Sequence, residues 1–388
     1  MKRIVIVISI IAFIMSCSNG NKNSSENKKV ASETEVFKNT LEPADPDLKI
    51  IPELIITIND IAEDSTENFQ RLQMISVSDD GSIYAGDAGT FSIRKFNTEG
   101  KLVTKFGKQG KGPGEFSMFN VGFAAGKNKV YVPDPMTQSV NVFDTDGNFI
   151  EKVNTMSKGI GMMTMPVVMT SDDILSYVTQ VEQKDGKIIL KNSLKILSDN
   201  FDEKKKIWGK DIDFDPTDMS KMMTMGNDFP SIAFNDREIF VAKSGLDDFE
   251  IVAYDLSGNE KYKIHSPYRK VKYTEKELEM ANERIQSFGD ENVKQFMKDV
   301  KFEETYKKVI SGMYFDGAGR LWVAKAQEIK DGDDIELVKL EIFKDGIYQN
   351  TIELRDSEGN MITGMIQIKG NRIYSTDTES NSVKIYDF

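Results

Sequence analysis

The stretch GSIYAGDAGTFSIRKFNTEGKLV (81–103) aligns without a gap on NKVYVPDPMTQSVNVFDTDGNFI (128–150). Tyr84, Asp87, Phe96 and Gly100 stand 47 residues before Tyr131, Asp134, Phe143 and Gly147. A third copy closes the chain, with Tyr374, Asp377 and Tyr386 lying 243 residues beyond Tyr131, Asp134 and Phe143. Looser copies carry Phe240, Tyr254 and Gly258, then Trp322, Phe343 and Gly346. The weakest has Tyr177 and Leu197, with Asn200 where glycine is expected. A unit repeated at this spacing cannot bury its apolar face alone, so the units must stack on one another.

Within each unit, apolar and polar residues alternate over short runs on either side of an Asp/Asn/Gly turn. Period two with such turns is strand–turn–strand. The segments NTEGK, DTDGN and LSGNE read as hairpin turns in which glycine supplies a positive φ. Six small antiparallel sheets predict an all-β, six-bladed β-propeller over residues 51–388. The sixth unit ends at Phe388 after its third strand. The isolated β-rich run IPELIITI (51–58) is therefore expected to supply the missing strand and close the ring.

Between the first and second units lies FGKQGKGPGEFSMFNVGFA (106–124). A phosphate-binding loop needs G-x-x-x-x-G-K-[ST] between a strand and a helix. Here Pro113 follows Gly112 and no helical pattern follows. The stretch instead resembles the connector of NHL repeats, on Gly107, Gly110, Gly112, Gly114 and Phe116. Pro166 and Pro230 fit the proline that such connectors place before the next inner strand. The chain as a whole resembles the six-bladed β-propeller lipoproteins of Bacteroidetes-type bacteria, a group related to NHL-repeat proteins. That resemblance implies a fold more than an activity.

The N-terminus starts with Lys2 and Arg3, then an apolar run from Ile4 to Ile14 that is too short to span a bilayer but suits a signal peptide. Ile14-Met15-Ser16-Cys17 resembles a bacterial lipobox. By that resemblance residues 1–16 are removed and Cys17 becomes the lipidated (palmitate-bearing) first residue. Residues 17–50 are then a tether. The part from 18 to about 45 is rich in Ser, Asn, Lys and Glu, and about 27 such residues reach about 30 Å. The expected location is the cell envelope, lipid-anchored to the outer membrane and facing the periplasm or the surface.

Charge and composition exclude several function classes. A formal charge of −12 disfavours nucleic acid as a partner. One Cys leaves no internal disulfide, and one His removes most His-dependent catalysis. DTDGN (144–148) resembles the start of a calcium loop, but Thr155 stands where the bidentate Glu belongs, and a hairpin turn explains the same residues. Asp87, Asp134 and Asp377 are either metal ligands in a shared channel or turn caps; a residue needed once per blade reads as structural. His265 has no triad spacing around it. No cofactor and no metal site are expected.

Residues 268–304 break the β pattern. Thr274 and Glu277 form a capping box, Leu278, Ala281 and Ile285 share a helical face, and DENVKQFMKDV reads as a second short helix. Met-Met-Thr-Met occurs twice, at 162–165 and 222–225, before the inner strands of adjacent units. Cu(I) binding, an adaptable apolar surface and packing beneath loops all use such methionines. The connectors between blades emerge on one propeller face. The expected site is a cleft there, lined by Phe116, Phe119, Met162, Met163, Met165, Met222, Met223, Met225 and Phe229 and covered by the helical insertion. Its occupant would be an envelope protein, a peptide or an apolar small molecule. The expected function is ligand or protein binding, or scaffolding, without catalysis. The alternative is a lactonase- or lyase-like enzyme with a carboxylate-bound divalent ion in the channel.

Overall fold

In the computed structural model, the described residues are 34–59, 68–117, 119, 122–169, 173–215, 217–218, 228–243, 245–287, 297–298, 300–302, 304–330, 337–377 and 380–388. The chain forms β1 (Glu35–Lys38) and β2 (Glu53–Ile58), then five four-stranded meanders and a final three-stranded one. Blade one is β3 to β6 (Leu72–Val77, Ile83–Asp87, Ser92–Phe96, Leu102–Phe106). Blade two is β7 to β10 (Ala124–Ala125, Lys129–Asp134, Ser139–Asp144, Phe149–Asn154). Blade three is β11 to β14 (Met162–Val168, Ile174–Lys184, Lys187–Leu197, Glu203–Phe214). Blade four is β15 to β18 (Ser231–Phe234, Glu238–Ala242, Phe249–Asp255, Glu260–Ser266). Blade five is β19 to β22 (Ile310–Phe315, Arg320–Lys325, Lys339–Lys344, Ile347–Glu353). Blade six is β23 to β25 (Met365–Lys369, Arg372–Asp377, Ser382–Asp387).

β2 completes blade six. It runs antiparallel to β25, with Leu54 opposite Tyr386 and Ile58 opposite Val383. β2 and the last strand, β25, thus share one sheet, as the strand count required, and the ring closes. Six apolar clusters fill the spaces between neighbouring blades, one per interface. Side chains also stitch the inner strands. Ser76 Oγ accepts from Ala125 N (2.9 Å), Gln367 Oε1 accepts from Val77 N (3.0 Å), and Ser231 Oγ donates to Ile310 O (2.8 Å).

Residues 35–50, expected to belong to a tether, pack on the propeller instead. β1 adds to blade four as a fifth strand, parallel to β18, with Glu35 opposite Tyr262 and Lys38 opposite His265. Asn39 then bridges two blades. Its Nδ2 donates to His265 O (3.2 Å) and Gly346 O (3.0 Å), and its Oδ1 accepts from Tyr348 N (2.8 Å). Phe37 packs edge-on against Tyr262 at 5.2 Å, and a Cβ on Gly346 would lie 2.7 Å from the Phe37 ring. Ile50 is buried and Leu48 packs in the core between blades five and six. A strand added to an existing edge gains backbone hydrogen bonds and needs few apolar anchors of its own, so composition alone underrates it.

Candidate functional site

The aspartates that end the second strands accept hydrogen bonds from loop backbone at that end of the sheet. Asp87 accepts from the backbone N–H groups of Gln70 (3.0 Å), Arg71 (2.9 Å) and Gly89 (2.9 Å). Asp134 accepts from Ser117 N (2.9 Å) and Asp377 from Ser380 N (3.0 Å). Each stands opposite a serine of the third strand (Ser92, Ser139 and Ser382) and diagonally across from the residue seven positions on: Arg94, Asn141 and Lys384. Arg94 and Lys384 pair with their aspartates at 3.2 and 3.0 Å. Hydroxyl pairs repeat with them, at 2.7 Å each, in Thr90–Ser92, Thr137–Ser139 and Ser380–Ser382. The residue between them is left-handed in all three, at Phe91, Gln138 and Asn381. Blade five reverses the charges, with Lys325 paired to Glu341 at the same place in the register. Blade four has Ala242 and Ala253 in the corresponding strands. These three aspartates accept hydrogen bonds from loop backbone and serve as structural caps.

The glycine-rich loop is held by its own carboxylate. Glu115 Oε2 accepts from Gly112 N (2.9 Å) and Lys108 pairs with Oε1 (3.2 Å). The Gly112 N–H and Lys108 hold the Glu115 carboxyl below the usual range. A Cβ on Gly110 would come within 2.0 Å of that carboxylate. Glu115 therefore fills the place an anion would take. Asp144 likewise accepts from Asp146 N, Asn148 N and Asn148 Nδ2, which is a hairpin turn.

The expected aromatic and methionine cleft is divided among different cores. Phe116 and Phe119 stack at 5.1 Å and are buried between blades one and two. Met163, 2% exposed, belongs to the core between blades two and three. Phe229 packs on Tyr177 (5.1 Å) between blades three and four. Met162 is half-buried, and Met165 is 58% exposed with φ 45°. Met162 to Met165 do not precede the inner strand but begin it, ahead of a register shift between Thr164 and Val167 that includes Pro166. Met222, Met223 and Met225 lie outside the described residues. Packing accounts for Phe116, Phe119 and Met163.

Three cavities lie where the connectors of blades four and five meet, apart from a small one of about 50 Å³ between blades two and three, beside Tyr131 and Val168. The insertion contains α1 (Glu275–Ser287), capped as expected. Thr274 Oγ1 accepts from Glu277 N (3.2 Å), and Glu277 Oε2 accepts from Thr274 N (2.9 Å). Most of the expected second helix lies outside the described residues. The two limbs of the insertion are tied below α1 by Tyr273 N to Thr305 O (3.2 Å) and Lys307 N to Val271 O (2.8 Å). One groove of about 550 Å³ runs along these limbs, past Lys272 and Tyr306. A second, of about 160 Å³, shares Tyr306 and contains Lys210, Asp228, Glu304 and Lys308. A third, of about 450 Å³, shares Gly245 with the second and contains Glu250 and His265. All three are bounded by loops at one end of the propeller.

Charge varies along this cleft. The third groove holds Asp247, Asp248 and Glu250 beside Lys243, and His265 Nε2 lies 2.9 Å from Glu250 Oε2. In the middle groove, Lys308 Nζ donates to Phe229 O (2.7 Å), and Lys210 pairs with Asp228. Burial lowers the Lys308 ammonium to about 8, against the opposing pull of Asp228. The first groove carries Arg269, Lys270, Lys272 and Lys330. Its available signal in the sequence was RKVKY (269–273), a basic run in an acidic chain. Among the described residues, no three His, Cys, Asp or Glu side chains are grouped to hold a metal ion.

No family model matches the chain. No curated protein matches it either. Solved structures do. A Bacteroides fragilis protein named as exported shares 13% identity at a TM-score of 0.50, over 90% of this chain and 98% of its own. A DUF4221-family member from Bacteroides vulgatus shares 10% at 0.46, over 87% and 97%. A Xanthomonas campestris gluconolactonase shares 10% at 0.44, over 89% and 97%. At such identities the likeness concerns architecture alone, and the chain is a six-bladed β-propeller closed by its N-terminal strand.

Proposed function

We propose that the protein is a lipid-anchored, extracytoplasmic binding protein without catalysis of its own, whose ligand contacts lie at the connectors of blades four and five. The anchor rests on Lys2, Arg3, the apolar run 4–14 and Cys17. The observation that carries the binding site is the run of three adjoining grooves under one elaborated connector. Loops held by a rigid scaffold are where binding residues concentrate. The lining is charged and tyrosine-rich, which suits a polar ligand better than an apolar one.

The rival reading, a lactonase- or lyase-like enzyme, needs channel carboxylates free for a divalent ion. Asp87 is committed to three backbone amides and Arg94, which favours binding over that chemistry. Two measurements test the proposal. Cys17→Ser should abolish labelling by a palmitate analogue and release the protein from membranes; continued detergent partitioning after signal cleavage would sink the anchor. A pull-down of the native protein from its own envelope should lose its captured ligand or partner when the groove is altered by Tyr306→Ala. Stoichiometric calcium or zinc after metal-replete purification would favour the enzyme instead.

A further inference from the structure

We propose that blade two binds a monovalent metal cation between Asp134 and Asn141, where blades one and six place the cationic head of a side chain. Asp134 and Asn141 stand at the same register positions as Asp87 and Arg94 in blade one and Asp377 and Lys384 in blade six. The Arg94 guanidinium lies 3.2 Å from its carboxylate, and the Lys384 ammonium lies 3.0 Å from its own. Blade two keeps the carboxylate but has a short neutral amide in place of the cation. None of the residues involved lines the grooves of blades four and five.

The exchange leaves two buried oxygens without partners. Asp134 and Asn141 are both 0% exposed. Asp134 Oδ2 accepts from Ser117 N (2.9 Å), whereas its Oδ1 is buried and accepts from nothing. Asn141 Nδ2 donates to Glu115 O (3.3 Å), and its Oδ1 is likewise buried without a donor. Exchanging the oxygen and nitrogen of that amide would set two acceptors against each other at Glu115, so the connector selects this orientation. Both side chains project from one face of the sheet. Among the described residues no Lys, Arg or His pairs with Asp134. The neighbouring connector residues outside that set, Met118, Asn120 and Val121, carry no charge. A buried carboxylate without a counter-charge, beside a second unpaired acceptor, is costly unless something positive lies between them.

Donor type and charge decide the class of ion. Carboxylate and amide oxygens suit alkali and alkaline-earth cations rather than copper or zinc. Calcium takes about 6–8 oxygen ligands, with carboxylates prominent among them. Here the Glu115 carboxylate is already engaged by Gly112 N and Lys108, and Asp134 supplies a single negative charge. One positive charge balances it, as one does in blades one and six, so sodium or potassium fits. The ion would join the second and third strands of blade two, which already hold the glycine-rich connector through Ser117 N and Glu115 O. Glu115 and Ser117 are half-buried, which places the site close beneath the surface.

The test is thermal unfolding of the full-length protein in detergent, at constant ionic strength, in sodium, potassium or tetramethylammonium chloride. Tetramethylammonium is too large for the site. Sodium or potassium should raise the melting temperature saturably above the tetramethylammonium value, by about 1–3 °C. Hydrogen exchange of peptides within 107–117 should slow in the same salt, while peptides within 382–388 exchange alike in all three. Asn141→Lys supplies a cation as Lys384 does and should remove the salt response, as should Asp134→Asn. Preference for sodium or for potassium identifies the ion, and either supports the proposal. Equal melting and exchange in all three salts would overturn it and leave the two oxygens to a bridging water or a protonated Asp134. A response that survives both variants, or stabilisation by calcium alone, would overturn it as well.

Discussion

Arg94 Nη2 lies 3.2 Å from Asp87 Oδ2, with both side chains wholly removed from solvent, and the Arg94 guanidinium sits 4.4 Å over the Phe69 ring. The same register position holds Asp134–Asn141, Asp377–Lys384 and the inverted pair Lys325–Glu341. Blades one and two use this position to tie a connector to the end of the sheet, through Asp87 and Asp134, and blade six uses it to tie its own hairpin, through Asp377.

Asp87 should matter more than its partner. Asp87→Ala strands a buried guanidinium and frees the amides of Gln70, Arg71 and Gly89, at a cost of about 3–5 kcal/mol. Arg94→Lys keeps a cation, as blade six does with Lys384, and should cost about 1–2 kcal/mol. Chemical denaturation of both variants checks this; equal losses would show that the connector is held by something else.

Asp377 makes a contribution confined to acid. Burial pushes its carboxyl up, but Ser380 and Lys384 outweigh that and bring it down to about 2, against 3.8 for an ordinary aspartate. A depressed carboxylate stabilises the fold above the unfolded value and loses that effect as pH falls through the folded one. Native protein and Asp377→Asn should therefore differ in melting temperature above pH 4 and converge as pH falls to 2. A gap that stays constant across this window would refute the assignment.

Lys308 works in the opposite range. With its folded value near 8 and an unfolded value of 10.5, the folded state holds its proton less tightly. Below pH 8 that mismatch costs stability, and the cost diminishes as pH rises from about 8 to 10.5. Lys308→Met should remove this pH-dependent part of the native curve. The unprotonated amine should also be acylated at pH 8.5 faster than an exposed lysine such as Lys101, read by peptide mass spectrometry. Slower labelling at Lys308 than at Lys101 would contradict the lowered value.

Three truncations separate tether, strap and closing strand. A chain starting at Thr34 should melt with the full-length protein. One starting at Ile51 loses β1, the Asn39 bridge and the Ile50 anchor, and should melt several degrees lower, in line with a loss of a few kcal/mol. One starting at Asn59 loses β2, exposes β25, and should forfeit much of the margin of about 5–15 kcal/mol typical of domains. Equal melting of the last two would mean that β2 does not close the ring.

Much of the site was hidden for a physical reason. Tyr306, Lys308 and Lys272 belong to irregular connectors, where no period links sequence to position. Phe116, Phe119 and Met163 looked like cleft residues because they sit near connectors, yet connectors also send large apolar side chains down between blades. Phe201 shows the same limit within a repeat. It occupies the glycine position of the blade-three turn at φ 65°, where Asn200 had been the expected substitute, because its ring packs on Tyr131 at 5.8 Å.

The sequence by itself determined the blade count, the hairpin turns, the capping box at Thr274 and the need for a strand near 51–58. Those features follow from local rules: alternation of period two, glycine at positive φ, and a strand missing from the last unit. Only the tertiary structure decided that residues 35–50 pack on the propeller, that blade five reverses the charge pair of blades one and six, and that three grooves adjoin at the connectors of blades four and five. These depend on which groups from distant parts of the chain share low-dielectric space, and on which carboxylates are consumed by backbone amides. Sequence spacing carries no record of either.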